Sequence, residues 1–256
     1  MISLKTGKDI SAMRAAGKIV TDILEYMKEL VTPGVDTLAL DEKARELIKK
    51  SKAKPAFLGY KVPGVPRPFP GALCVSINEE VVHGIPSREK VLEEGDILSI
   101  DVGVLYEGYF GDAAYTYAVG RISEKRSHLL DVTRESLERA IAAARAGNTI
   151  GDIGHAVESF AAPKGYGIVR NYAGHGIGKR LHEPPQIPNF GKPGQGVTLK
   201  SGMTIAIEPM IMSGGEEVET LPDLWTVVTS DRSDAAHFEK SILVTGEEPE
   251  ILTPWE

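Results

Sequence analysis

Asp101 closes the apolar run Ile97-Leu-Ser-Ile, and Asp112 lies just past Tyr106-Glu107-Gly108-Tyr109. If Glu107-Gly108 is the two-residue turn of a hairpin, Tyr106 pairs with Tyr109, Gly103 with Asp112 and Asp101 with Ala114. The two aspartates are then diagonal neighbours on one face, roughly 7–8 Å apart at the backbone and closer at the carboxylates. Two carboxylates aimed at one point resist ionisation unless a cation sits between them. Ser99, Asp101 and Gly103 share that face, while Leu98, Ile100, Val102 and Val104 share the other, and Gly103 leaves room beside the acids.

Two more acids stand in strand-like runs. Glu208 follows Met203-Thr-Ile-Ala-Ile, and Glu239 lies within His237 to Val244. An acid late in a buried strand is costly unless it is paired or bound to metal. Lys240 adjoins Glu239 but points to the opposite strand face. His175 sits in Ala173-Gly-His-Gly-Ile-Gly178, where glycines let the backbone approach something closely. No Lys-Ser/Thr follows, which argues against a phosphate loop. Taken singly, each of these residues reads as a surface acid, a salt-bridge partner or a hydrogen-bonded histidine. His83, His182, His128, His155 and His237 read the same way, although His237 shares a strand face with Glu239. As a set, four carboxylates and one imidazole suit Mn(II), Fe(II) or Co(II), and also Zn(II). Five protein donors are more than one ion takes while keeping an open position. They suit two ions roughly 3.5–4 Å apart that share a water or hydroxide.

The elements that must position these residues follow from periodicity. Apolar residues from Ile10 to Leu30 recur at helical spacing, and Pro33-Gly34 ends the helix begun near Lys8. A second helix starts near Asp36 or Thr37 and ends before Pro55. Pro63, Pro66, Pro68 and Pro70 make Lys61 to Gly71 a loop. Strands are expected over Ala72 to Ile77, Ile97 to Leu105 and Phe110 to Val119, then helices over Ser127 to Arg145 and Ile150 to about Ala162. Met203 to Glu208, Leu224 to Thr229 and His237 to Thr245 read as strands. Helices followed by strands, twice over, indicate an α+β fold. Leu92-Glu-Glu-Gly-Asp-Ile-Leu-Ser-Ile-Asp101 resembles Leu199-Lys-Ser-Gly-Met-Thr-Ile-Ala-Ile-Glu208, and Val82-His83-Gly-Ile-Pro86 echoes Leu181-His182-Glu-Pro-Pro185. The echoes lie roughly 100 to 115 residues apart. We therefore expect a single domain over 1–256 with an internal repeat, roughly 8–120 and 127–245, and a site on the pseudo-two-fold seam between the halves.

Composition narrows the class. A net charge of −7 argues against a dedicated nucleic-acid binder, and an aromatic share of 6 % offers no base-stacking platform. No apolar run reaches the roughly 18 residues that cross a bilayer, and the start lacks the apolar centre of a signal peptide. With Cys74 as the only cysteine there is no internal disulfide, and a reducing, cytoplasmic setting is expected.

The chain resembles the type I methionine aminopeptidases from about Leu4 to Leu252. The resemblance is carried by Asn78-Glu-Glu-Val-Val-His83-Gly-Ile-Pro, Asp101-Val-Gly through Gly111-Asp112, Gly174-His175-Gly-Ile-Gly, Leu181-His182-Glu, Ile207-Glu208-Pro-Met and Phe238-Glu239. It implies the pita-bread fold, with antiparallel sheet and flanking helices in two related halves. It also implies a hydrolase that removes initiator methionine from nascent chains with a small second residue. By the same resemblance Asp112 and Glu239 bridge two divalent ions, Asp101 holds one, and His175 and Glu208 hold the other. The peptide's free amine would ligate one ion. Glu208 is also the implied general base, His182 stabilises the oxyanion, and His83 hydrogen-bonds near the scissile nitrogen. The methionine pocket would be Phe57, Tyr60, Phe69, Cys74, Leu181 and Trp225. A monomer is implied, with the ribosome as a candidate docking partner and with neither DNA nor membrane.

There are departures from the family pattern. The loop Lys61 to Pro68 is about six residues longer than usual and is stiffened by prolines. Leu181, Lys240, Leu224 and Ala173 stand where other residue types are common. The N-terminal zinc-binding extension and the type II insertion are absent. Two alternatives compete. An Xaa-Pro-type aminopeptidase or dipeptidase carries an extra N-terminal domain that this chain is too short to hold. A non-catalytic pita-bread module would bind peptide or protein and would have lost metal ligands, all of which are present here.

Overall fold

In a computed structural model, which describes residues 2–256, the first apolar stripe is α1 (Gly7–Leu30). Thr6 and Asp9 close a capping box at its start, and Met13, Ala16, Val20, Ile23, Leu24 and Met27 are buried along one face. α2 (Thr37–Lys50) begins where Asp36 accepts the Ala39 amide at 2.9 Å. β1 (Lys54–Pro55) follows, and residues 61–71 form neither helix nor strand, as the prolines require. Next come β2 (Leu73–Ile77), β3 (Glu80–Val82), β4 (Ile97–Tyr106) and β5 (Tyr109–Ala118). The β4–β5 turn is Glu107-Gly108, with φ of 49° and 84°. These values match a mirror-image hairpin turn whose twist suits the strands. Tyr106 faces Tyr109, Gly103 faces Asp112 and Asp101 faces Ala114, the register expected from the sequence.

The second half repeats the order of helices before strands. α3 (Glu124–Ala143) starts three residues earlier than its periodicity suggests, because Ser123 caps it by accepting the Arg126 amide at 3.2 Å. α4 (Ile150–Ala161) opens on a Thr149–Asp152 capping box. Short strands complete the chain: β6 (Gly167–Ile168), β7 (Gly174–Gly176), β8 (Glu183–Ile187), β9 (Thr204–Ile207) and β10 (Met210–Met212). The last are β11 (Val218–Thr220), β12 (Val227–Thr229), β13 (Ala235–His237), β14 (Glu239–Leu243) and β15 (Glu250–Ile251). Two expectations need correction. The strand expected from Leu224 shrinks to β12, because the Asp223 carboxylate accepts the Trp225 and Thr226 amides at 2.8 Å and Leu224 turns to a φ of 67°. The run from His237 to Thr245 breaks at Phe238: β13 pairs with β10 in a small sheet, whereas β14 joins the main one.

The main sheet runs β1-β4-β5-β14-β9-β7-β8, with β2 on β4 and β15 on β14, and every pair is antiparallel. The β5–β14 pairing joins the two halves. Leu98, Ile100, Val102 and Val104 share one core with Val20, Ile23 and Leu24 of α1 and Leu129 and Leu137 of α3. The helices therefore cover one sheet face, and the other is left to Asp101 and its neighbours.

Candidate active site

Strand register carries the acids together. Ala114 of β5 pairs with Asp101 on one side and with Glu239 on the other, so those two acids share a row across three strands. Asp112 lies two residues along β5 from Ala114 and keeps its face. On β9, Ile207 pairs with Lys240, and one further step sets Glu208 opposite Glu239. His175 of β7 pairs with Ala206 of the same strand β9. Small residues are forced here. A Cβ at Gly174 would lie 2.3 Å from the Ala206 carbonyl, and one at Gly176 would lie 2.4 Å from that of Pro184. At Gly103 a Cβ would sit 3.1 Å from Asp112 Oδ1 and 2.9 Å from the Ala56 methyl. Lys240 points away, with Nζ 3.1 Å from Glu138 and 4.1 Å from the Trp255 ring centre, so it does not neutralise Glu239.

These side chains line a cavity of about 230 Å³. Asp101, Asp112, His175, Glu208, Glu239, His83 and His182 form its polar wall, and Phe57, Tyr60, Phe69, Cys74, Leu181 and Trp225 its apolar wall. Every site residue expected from the sequence or the resemblance therefore borders one space. His237, Tyr172, Val62, Val82 and Met210 border it too. By local pattern His237 reads as an ordinary histidine, and the strand face it shares with Glu239 is the signal that points to the cavity. His128 and His155 are exposed, and His128 meets Tyr166 Oη at 2.6 Å.

The polar wall is short of partners. His175 Nδ1–H donates to the Gly176 carbonyl at 2.9 Å, which leaves the Nε2 lone pair free. That Nε2 lies 3.8 Å from Asp112 Oδ2 and 3.7 Å from Glu208 Oε1, and His237 Nε2 is 3.7 Å from Glu208 Oε2. Asp101 Oδ1, Asp112 Oδ1, Glu239 Oε1 and His237 Nε2 are buried with no hydrogen-bond partner. Such atoms each cost roughly 1–3 kcal/mol unless something satisfies them. Burial and then mutual repulsion hold the Asp112, Glu208 and Glu239 carboxyls well above their usual range, and burial takes Asp101 to about 7. Burial lowers His175 and His83 to about 4 and His237 to about 3, so all three are neutral near pH 7. One donor atom each from Asp112, His175 and Glu239 fits within a 4.8 Å span. Crowded acids, a neutral imidazole with a free lone pair and orphaned buried oxygens are what a divalent cation satisfies.

The apolar wall is tied by other means. Phe69 and Trp225 meet edge to face at 5.2 Å, and Trp225 Nε1 donates to the Arg67 carbonyl at 3.0 Å. The Gly59 amide on the Phe69 carbonyl (2.8 Å) and the Phe69 amide on the Tyr60 carbonyl (2.9 Å) close the base of the proline-rich loop. Val65 packs on the cluster of Phe57, Phe69, Cys74, Leu181 and Trp225, so the long loop abuts the pocket as expected. Burial, reinforced by Asp101, pushes the Cys74 thiol up, so it stays protonated and serves as a small soft wall.

A family model for metallopeptidase family M24 matches residues 11–246. A methionine aminopeptidase of Clostridium acetobutylicum is 48% identical over 253 residues, covering 99% of each chain. The crystal structure of a Thermotoga maritima methionine aminopeptidase matches with a TM-score of 0.95 at 46% identity, covering 100% of both chains. A Pyrococcus horikoshii prolidase is more distant, with a TM-score of 0.76 at 26% identity over 99% of this chain and 64% of its own.

Proposed function

This chain belongs to the methionine aminopeptidases of metallopeptidase family M24, and on that premise we propose how its residues release an initiator methionine that precedes a small second residue. In this reading Asp112 and Glu239 would help hold both of two divalent ions, Asp101 would hold one, and His175 and Glu208 would hold the other. Co, Mn, Fe and Zn all suit such a donor set. When bound, the ions supply Lewis acidity for the scissile carbonyl and for water.

The remaining work falls to side chains. Phe57, Tyr60, Phe69, Cys74, Leu181 and Trp225 receive the thioether, a polarizable group suited to aromatic and sulfur walls. Glu208, a carboxylate on the cavity wall, accepts the proton of the attacking water. His182, at the mouth, donates toward the oxygen that gathers negative charge. His83 packs against Tyr172 at 5.4 Å and hydrogen-bonds near the scissile nitrogen as it leaves. The same reading takes nascent polypeptide N-termini as substrates, in the cytoplasm, by a monomer for which the ribosome is a candidate dock. It also treats the chain as one catalytic domain with repeated halves, roughly 8–120 and 127–245.

One observation carries the assignment: buried acids without partners and an apolar pocket share a single cavity. The test is release of free methionine from Met-Ala-Ser by metal-stripped protein refilled with Mn(II), Fe(II), Co(II) or Zn(II). Met-Leu-Ser and acetyl-Met-Ala-Ser are the controls. Metal-dependent cleavage of the first peptide alone is expected. Metal uptake without cleavage of any peptide would overturn the reading in favour of a binding module.

A further inference from the structure

We propose that Tyr60 is a positioning residue that fixes His182 in the tautomer with its proton on Nε2, so that the histidine meets the substrate as a donor. The inference rests on the reading of His182 as the group facing the developing oxyanion. Tyr60 Oη lies 2.6 Å from His182 Nδ1, and the two rings meet edge to face at 5.5 Å. His182 also meets the His175 ring at 4.4 Å and 73°. The imidazole thus contacts two rings, with Nδ1 committed to Tyr60.

Chemistry decides which partner donates. A phenol is a far stronger acid than a neutral imidazole N–H, and an imidazole nitrogen is a stronger base than a phenol oxygen. The O–H therefore donates, Nδ1 accepts, and the ring proton resides on Nε2. A phenol with a pKa of about 10 keeps its proton at neutral pH. Nε2 has no hydrogen-bond partner among the described residues, and His182 and Val62 are the two cavity-lining residues that are exposed. The donor is accordingly free for an incoming peptide. Tyr60 is fixed in turn by its backbone: its amide donates to the Phe57 carbonyl at 2.8 Å, and its carbonyl accepts the Phe69 amide across the loop base. A pocket wall for a thioether needs only the aromatic ring at position 60. The hydroxyl is the atom that the pocket does not need.

Tyr60→Phe removes only that hydroxyl. With Met-Ala-Ser and Mn(II)-loaded enzyme, kcat should fall about tenfold while KM changes less than about twofold. In a His182→Ala background the same substitution should cost nothing further, because the two residues act as one unit. Nitrogen NMR of metal-free protein labelled in its histidines should show an unprotonated Nδ1 at His182 in the wild type and mixed tautomers in Tyr60→Phe. Equal losses in both backgrounds, a loss confined to KM, or a wild-type proton on Nδ1 would overturn the proposal. A wild type that cleaves nothing with any metal would instead refute the assigned activity, and the NMR spectrum would still decide the tautomer.

Discussion

The two walls of the cavity are held by different forces. Asp101, Asp112, His175 and Glu239 lie within paired strands, where each backbone partner is set by a ladder of hydrogen bonds. Phe57, Tyr60, Phe69, Leu181 and Trp225 lie outside helices and strands, and only Cys74 of the apolar wall belongs to a strand. The apolar wall depends instead on a few ties between distant segments. These are Trp225 to Arg67, Tyr60 to His182, and the Lys5–Glu183 ion pair at 2.7 Å, with side chains 4% and 9% exposed, beside His182. Ladder geometry distributes strain over many bonds, whereas a loop tie is a single contact. Damage to the acids should therefore remove chemistry and spare the scaffold, and damage to a tie should loosen the pocket and spare the metal donors.

The largest expected effect tests the acid wall. Asp112→Ala or Glu239→Ala should lower methionine release at least about a thousandfold, since several kcal/mol of charge stabilisation vanish. Elemental analysis should show metal content falling in step, while the metal-free melting temperature holds or rises because a repelled acid is gone. Near-full activity in either variant would refute the shared-ligand assignment.

Lys5→Ala probes the contrasting kind of support. It strands Glu183 without its cation and should cost about 3–5 kcal/mol of stability by denaturant melt, with metal content unchanged. An unaltered melt would remove Lys5 from the ties of the apolar wall. Trp225→Ala should raise KM for Met-Ala-Ser about ten- to a hundredfold, the worth of burying one aromatic contact. If kcat and metal content fell while KM stayed fixed, the two walls would not be separable.

The smallest effect is in pH. The unfolded chain protonates an aspartate near pH 3.9, whereas burial moves Asp101 to about 7 and the other three acids upward. Above about pH 6.5 His83, His175 and His237 are neutral in both states and no longer oppose the acids. The acids hold protons in the folded, metal-free protein that the unfolded chain has released, so stability falls as pH rises. A metal-free melt at pH 6.5 should exceed that at pH 8 by on the order of 5 °C. Ions bind the deprotonated acids, so the metal-loaded protein should gain stability over the same range. Scanning calorimetry reads both slopes, and a metal-free slope of opposite sign would mean that the acids are not crowded.

Legibility from the sequence follows the same division. The Asp101–Asp112 geometry could be read because a two-residue turn fixes register and strands alternate with period two. Helix starts at Asp36 and Thr149 carry their own capping signals, whereas the apolar periodicity of α3 begins only several residues after its cap at Ser123. His237 is hidden in the sequence for a different reason. Its run reads as one continuous strand, so the face it shares with Glu239 is the only local pointer to the cavity, and nothing local reveals the break at Phe238. The apolar wall reads from local pattern only as core, and the resemblance alone singled it out.

The sequence by itself determined which residues carry charge, where chain direction reverses and which strand face each side chain takes, because these are short-range properties of residue type and backbone geometry. It also carried the motifs by which the family is known. Only the tertiary structure decided that Ala114 lies between Asp101 and Glu239, that Tyr60 reaches His182, and that four acids and His237 share one buried space. Burial and pKa depend on what packs from far along the chain, and no local window holds that information.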